Sequence, residues 1–537
     1  MDRSTVHRHR WKILAVLCMS LVLIGLDNLI LNLALPKIQT DLGSTGTEMQ
    51  WIVDSYTLVF GGLLLLSGSL ADRFGRRRML MTGMVLFLAF SLAAAFSTDS
   101  AMLIAMRAAM GAGAAMIMPA TLAIIKDVFP AGEQAKAIGI WAGTAALGVP
   151  LGPVVGGLLL DHFWWGSVFL INAPVVMVAL VGGAVLIPES RNRNHSGSLD
   201  LLGALLSAAG LAVLVYGLVE ASRNGWSDGI TLISLAVSVT LLIGFTVWER
   251  RARFPMLAPE LLRDKRFSGS ALAITAISFG MFGALFVLTQ YLQFVLAHEP
   301  LDAGLRLLPI ATMIIGAPLS PRLVERIGLK AVVALGLSLI TAALVLTAGA
   351  GTDSELRILW SLAFFGLGMG LAMPAAADAM LAAAPSGQSG AGSAVTDASM
   401  QVGGALGIAV IGSVLSTSYR DALPALDRMP AEAADAASDS VGAADGVAAG
   451  IGGEPGRQLL AAAHEAFVEG LGDAMLIGAG VTALGVLAAL LVFPRRAAKG
   501  PLAVGGDTTP GEADTGTDDL TASGAARREA SRAPRPT

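Results

Sequence analysis

Residues 13–35 read ILAVLCMSLVLIGLDNLILNLAL. About 20 apolar residues at 1.5 Å each span the hydrocarbon of a bilayer, so this run is expected to cross a membrane as one helix. Its second half, LDNLILNLALP over Leu26–Pro36, carries Asp27, Asn28 and Asn32. An Asp at the bilayer centre costs about 2.5 to 3.5 kcal/mol on insertion scales, and such a group by default faces a water-filled or protein-lined cavity. Asp27 is therefore the leading candidate for the working group. Arg8, Arg10 and Lys12 precede the run as in a signal peptide, but it exceeds the 7 to 15 residues of an h-region, and Pro36 and Lys37 follow without a small-residue cleavage site. It reads as a retained helix.

The rest of the chain agrees. Of 537 residues, 54% are apolar and 14% charged, against about a quarter charged in soluble domains. Mean hydropathy is +0.69, which describes a polytopic, all-α membrane protein. A net charge of −4 gives no reason to invoke nucleic acid, and the single cysteine, Cys18, excludes an intrachain disulfide. No G-x-x-x-x-G-K-[ST] loop suggests ATP, and no H-E-x-x-H or cysteine pair suggests a metal. No Ser, His and Asp fall into a hydrolase context. The expectation is a protein that is not an enzyme and has neither cofactor nor metal.

Six apolar spans are expected at about 13–35, 51–71, 79–97, 101–123, 138–160 and 167–187. Two more, about 200–220 and 229–248, lie between charged stretches, and six follow near 269–293, 304–321, 330–350, 356–380, 393–417 and 471–493. The sum is fourteen, arranged six, two and six: a first half over 1–190, a two-helix linker over 191–265 and a second half over 266–499. An acidic external loop at 418–470, helical towards Arg457–Glu469, and a disordered tail at 500–537 complete the chain. Lys and Arg cluster before the first span, at Arg73–Arg78, at Lys126 and Lys136, over 249–266, at Arg322–Lys330 and after the last span. The opposite side holds only Lys37, Arg223, Arg306, Arg357, Arg420, Arg428 and Arg457, so both termini are expected in the cytoplasm.

A faint repeat relates the halves. GSLADRFGRRR from Gly68 follows the second span, and PRLVERIGLK from Pro321 follows the tenth. Asp72, Arg73 and Gly75 align with Glu325, Arg326 and Gly328. Two repeats about an axis along the membrane normal, with a site between them at mid-depth, is a transporter plan in which one chain suffices, so a monomer is expected.

The Gly68–Arg78 loop has the pattern G-x-x-x-D-R-x-G-R-R. Its glycines permit a tight turn, Asp72 can sit at the positive N-terminus of a facing helix, and Arg76 can bond a carboxylate such as Asp127. A basic run here, including Arg77, also serves topology. In the fourth span Arg107, Gly111 and Gly113 form R-x-x-x-G-x-G, and the fifth carries Gly148, Gly152, Pro153, Gly156 and Gly157. Glycines at i, i+4 and i+8 make a stripe on which another helix packs closely or slides. Counted from the outer helix ends, Asp27 and Arg107 lie about 12 and 9 Å deep, so the two can share one cavity or form a static pair. Asp54, three residues after Trp51, starts about 5 Å into the second span, where a helix-start carboxylate is an equal reading.

These motifs resemble the major facilitator superfamily. The resemblance runs from LDNLILNLALP through VFLINAP near Asn172 to MQVGGALGIAV near Gln401 and is strongest over the first 190 residues. It implies the major facilitator fold and a loop at Gly68–Arg77 that latches the halves in an outward-open state. It also implies a buried arginine at Arg107 and an antiporter glycine helix at Gly148–Gly157. WIVDSY looks like the motif of fourteen-helix exporters of quaternary ammonium compounds, where carboxylates corresponding to Asp27 and Asp54 are linked to cationic substrates and protons. The departures are Asn28 and Leu29, where relatives often have a Thr after the Asp, and a second-half loop without the full basic run.

Other polar residues in spans are weaker candidates. Asp378 and Asp397 are placed near cytoplasmic helix ends, either solvated or as latch partners. Gln290, Gln401, Asn172 and Glu220 contact either substrate or neighbouring helices. Met81, Met106, Met110, Met116 and Met118 line either a pocket or the core. The expected function is a multi-pass plasma-membrane antiporter that exports small lipophilic, cationic compounds in exchange for protons. One alternative is a dedicated exporter of one self-made antibiotic or metabolite, and another is a membrane sensor or binding protein retaining the fold without turnover.

Overall fold

The computed structural model describes residues 3–44, 46–190, 200–252, 259–384, 389–423, 433–434, 437–438 and 440–493. The expected tail at 500–537, the charged break around Arg191 and Arg193, and the side chains of Asn28, Asn32, Gly148 and Pro153 lie outside the described residues. The described residues are helical with short connections. In order the helices are α1 (Arg3–Leu42), α2 (Gly46–Phe74), α3 (Arg76–Ala95), α4 (Ser100–Val128), α5 (Ala131–His162), α6 (Ser167–Leu170), α7 (Asn172–Leu186), α8 (Leu201–Asn224) and α9 (Gly229–Glu249). The second set comprises α10 (Lys265–Gln290), α11 (Pro300–Arg306), α12 (Met313–Ile327), α13 (Leu329–Ala348), α14 (Glu355–Ala383), α15 (Ser389–Ala422), α16 (Val441–Ile451) and α17 (Gly453–Val492).

Local chemistry sets several helix starts. Asp99, Asp200, Asp228 and Asp264 each accept hydrogen bonds from backbone amides at the beginning of α4, α8, α9 and α10, the groups a helix leaves without intrahelical partners. Thirteen helices among the described residues are long and apolar enough to cross a membrane. At the place of the expected span 138–160 runs α5, 32 residues long.

Helices α1 to α7 pack among themselves, chiefly α2 and α3 on α4 and α1 on α5 and α7, while α10 and α12 to α17 form a second cluster. Two seams join the clusters: α15 lies against α2 and α4, and α5 lies against α12 and α14. Helix α8 pairs with α9 and leans on α2 and α15. The aligned loops have matching backbones, for Gly75 alone separates α2 from α3 at φ 112° and Gly328 alone separates α12 from α13 at φ 87°. Both conformations are disfavoured for residues with a Cβ, which is why glycine stands at both turns.

Two expectations need correction. The segment 418–470 is more helical than expected among the described residues: α15 continues to Ala422, α16 occupies Val441–Ile451, and α17 begins at Gly453, while Arg457–Glu469 is helical as expected, in the first part of α17. Asp397 is not at a helix end, because α15 starts at Ser389 and places it two turns in, 2% exposed.

Candidate functional site

Asp27 and Arg107 meet. Asp27 lies in α1 among Leu23, Ile24, Leu26 and Ile30, all buried, and is itself 3% exposed. Its Oδ2 accepts from Arg107 Nη1 at 2.5 Å and its Oδ1 from Asn172 Nδ2 at 2.9 Å. The guanidinium, fully buried on α4, also donates from Nε to the Ile52 carbonyl of α2 at 3.2 Å and stacks 4.4 Å from the centre of the Tyr56 ring. Gly111 permits that stacking, since a Cβ there would stand 2.5 Å from the Tyr56 carbonyl oxygen and push α4 off α2. Arg107 thus ties α4 to both α1 and α2.

Asn172 was weighed as a substrate or helix contact and proves to be the third member of the site. Its Nδ2 also donates to Ser91 Oγ at 2.9 Å, and Ser91 in turn donates to the Phe169 carbonyl at 2.8 Å. Its Oδ1 is buried without a hydrogen-bond partner among the described residues. Asp27 is enclosed by protein in this conformation. Asp54 lies half-buried on α2, two residues beyond Ile52.

The second cluster sits where the end of α2 and the start of α3, on either side of Gly75, meet the start of α15. Asp72, 3% exposed, accepts from the Gly390 amide at 2.8 Å and the Ala391 amide at 3.1 Å, the first free donors of α15. A carboxylate there meets the positive end of the helix dipole. Arg76 donates to Asp72 at 2.9 Å and to Asp127 of α4. Arg77 donates to the Ala184 carbonyl of α7 at 2.6 Å, and Arg73 lies 5.5 Å from the Phe74 ring centre. Two further ties cross the seam: Lys126 donates to the Leu381 carbonyl, and Ser393 Oγ to the Pro119 carbonyl at 2.8 Å. Glu189, a residue the motif does not include, packs on Gly75 and stands 3.6 Å from Arg78, while the Arg76 amide bonds the Ser190 carbonyl at 2.9 Å. In the second half Glu325, aligned with Asp72, is exposed.

Gly68 makes this seam close. A Cβ on it would lie 2.4 Å from the Gly390 carbonyl oxygen and 2.6 Å from the Ala394 Cβ, both on α15. Gly68→Ala is therefore expected to part α2 from α15 at a cost of about 1 to 3 kcal/mol in the tied conformation. A melting temperature and export rate equal to the native protein's would contradict this.

On α5 the glycines serve two neighbours. A Cβ on Gly156 would stand 2.9 Å from Leu33 of α1, Gly157 faces open space, and Gly152 is buried. A close approach to the other helix set comes nearer the start of α5, where a Cβ on Gly139 would reach the Ala317 Cβ of α12 at 2.3 Å. That glycine lies outside the recognised motif and was missed.

A family model described as the Major Facilitator Superfamily matches residues 17–408. The chain is 34% identical over 499 residues to a tetracenomycin C resistance and export protein of Streptomyces glaucescens, covering 91% of this chain and 92% of that protein. It is 35% identical over 473 residues to the multidrug efflux pump LfrA of Mycolicibacterium smegmatis, covering 87% and 93%. A third relative, the methyl viologen resistance protein SmvA of Salmonella typhimurium, is 34% identical over 463 residues, covering 86% and 93%. Among solved structures, the human organic anion transporter MFSD10 superposes with a TM-score of 0.57 over 91% of this chain and 100% of that one, at 14% identity, a likeness of fold alone.

Proposed function

This chain belongs to the Major Facilitator Superfamily, and we propose that it is a proton-coupled exporter of lipophilic, cationic compounds, working as a fourteen-span monomer with α5 counted as a span. The plasma membrane is its place, with both termini cytoplasmic by the distribution of Lys and Arg. The observation that carries this reading is the Asp27 carboxylate, buried in a spanning helix with one oxygen on Arg107 and the other on Asn172. A charge held at that depth is costly and is characteristic of ion and substrate pathways.

In the tied conformation Arg107 neutralises Asp27. A substrate cation that replaces Arg107 at Oδ2, or a proton that binds there, frees the guanidinium to rest on the Ile52 carbonyl and the Tyr56 ring. Proton and cation are then alternatives at one carboxylate, and the two fluxes run in opposite directions. The Asp72 and Arg76 cluster closes the cytoplasmic side while Asp27 exchanges its occupant with the outside. Asp54, half-buried on α2, is a secondary acceptor for the cation on its way out.

The test is competition between proton and cation. Binding of a lipophilic cation such as tetraphenylphosphonium to purified protein is expected to weaken as pH is lowered, because a protonated Asp27 no longer attracts it, and Asp27→Asn is expected to lose that dependence. A cation affinity in the native protein that does not change with pH would point to a sensor or binding protein. A second reading is a dedicated exporter of one self-made antibiotic, favoured by the relative named for tetracenomycin C resistance and export. A susceptibility panel in a host lacking its own pumps separates the two, since resistance confined to one compound class selects the dedicated exporter.

A further inference from the structure

Asp397 has no place in the exchange at Asp27. It is 2% exposed in the spanning helix α15, and neither of its carboxyl oxygens has a hydrogen-bond partner among the described residues. Its neighbours on the helix are committed elsewhere: Thr396 Oγ1 donates to the Gly392 carbonyl at 3.1 Å, and Ser393 Oγ donates across to Pro119.

Its position is at the seam between the helix sets. Gly390 and Ala394 meet Gly68 of α2, Gln401 meets Gly61 of α2, and Ser393 meets α4. Residues three, four and seven apart share one face of a helix, so Asp397 falls on this face between the contacts to α2 and to α4. It stands about 10 Å along α15 from the Gly390 amide that Asp72 caps.

The charged groups on the surrounding helices do not serve it. On α2, Asp72 is bound to Arg76 and the α15 amides, with Glu48 and Asp54 further along the helix. On α4, Arg107 is on Asp27, Arg76 holds Asp127, and Lys126 is on the Leu381 carbonyl with Asp378 of α14 in its field. Helix α10 is charged only at Lys265 and Arg266, its first two residues. Glu220 of α8 accepts from Asn224, and α17 carries no charge after Asp473.

We propose that Asp397 is a proton-binding site that ties the cytoplasmic seam to cytoplasmic pH: it takes a proton as α15 closes on α2 and α4, and returns it as they part. A carboxylate buried without a partner does not stay ionised, whereas in the parted seam water solvates the ion. The proton comes from and returns to the same side, so this site gates without adding to the proton flux through Asp27. Because the closed state binds one proton more, rising cytoplasmic pH favours opening.

The test uses the full chain in lipid nanodiscs, with Cys18→Ser and spin labels at two exposed positions on opposite helix sets, Arg78→Cys on α3 and Ala382→Cys on α14. The native distance distribution is expected to shift to longer separations as pH rises, and Asp397→Asn, the neutral isostere, is expected to abolish the shift. Infrared spectra of unlabelled protein at neutral pH are expected to show a protonated-carboxyl band that Asp397→Asn removes, Asp397→Glu displaces and Asp27→Asn leaves in place. A pH response kept in Asp397→Asn, no response in the native protein, or no band removed by Asp397→Asn would each overturn the proposal. Neither readout involves transport, so failure of drug export leaves this proposal standing, and the reverse holds as well.

Discussion

Arg107→Ala is expected to destabilise the protein by about 3 to 5 kcal/mol and to abolish export. The guanidinium is fully buried, and Asp27 Oδ2 has it as partner at 2.5 Å. Its removal leaves a carboxylate in the core with Asn172 alone, and breaking one side of a buried ion pair costs that much because the other charge stays behind. The double variant Arg107→Ala with Asp27→Asn is expected to regain much of the stability and none of the transport, since the stranded charge is gone and so is the exchange group. Arg107→Lys keeps the charge but not the fork that reaches Asp27 and Ile52 together, so it is expected to fall between. Melting curves and dye efflux for the four proteins check this. An Arg107→Ala protein as stable as the native one would remove the pair from the account.

The second large effect is expected at Asp72→Ala. That change removes acceptors for the Gly390 and Ala391 amides and one of the two carboxylates on Arg76. Hydrogen bonds to charged groups contribute about 1.5 to 3 kcal/mol each. A net loss of about 3 kcal/mol multiplies the parted population on the order of 100-fold. Ser393, fully buried under this contact, provides the reporter as Ser393→Cys in a Cys18→Ser background. Its labelling by a membrane-impermeant thiol reagent from the cytoplasmic side is expected to rise on that scale in Asp72→Ala and less in Asp72→Asn, which keeps an acceptor. Unchanged labelling would mean that Asp72 does not hold the seam.

Much of this was legible in the residues because the costs were local. An Asp inside an aliphatic run has few tolerable surroundings, and a glycine between two charged helix ends has an evident use, which the φ of 112° at Gly75 expresses. Asp72 and Arg76 are four residues apart on either side of the Gly75 turn, so their pairing across it was within reach of the sequence. Asn172 is 145 residues from Asp27, and Lys126 is 255 from Leu381. Those contacts depend on which helices face one another, which no local pattern encodes. Asp397 was misplaced for a different reason: hydropathy starts the span at 393, whereas α15 begins at Ser389, and one extra turn moves the carboxyl from a helix end into the core. Glu189 escaped notice because it lies beyond α7, and only the fold brings it to Gly75.

The most direct test of the central claim, that Asp27 exchanges a proton for a cation, is uptake of a fluorescent lipophilic cation into inverted membrane vesicles under an imposed pH gradient. The native chain and Asp27→Asn are compared at equal verified insertion. Gradient-driven uptake by the native chain that disappears in Asp27→Asn is the predicted result. Equal uptake by both proteins would contradict the account and remove Asp27 from the mechanism.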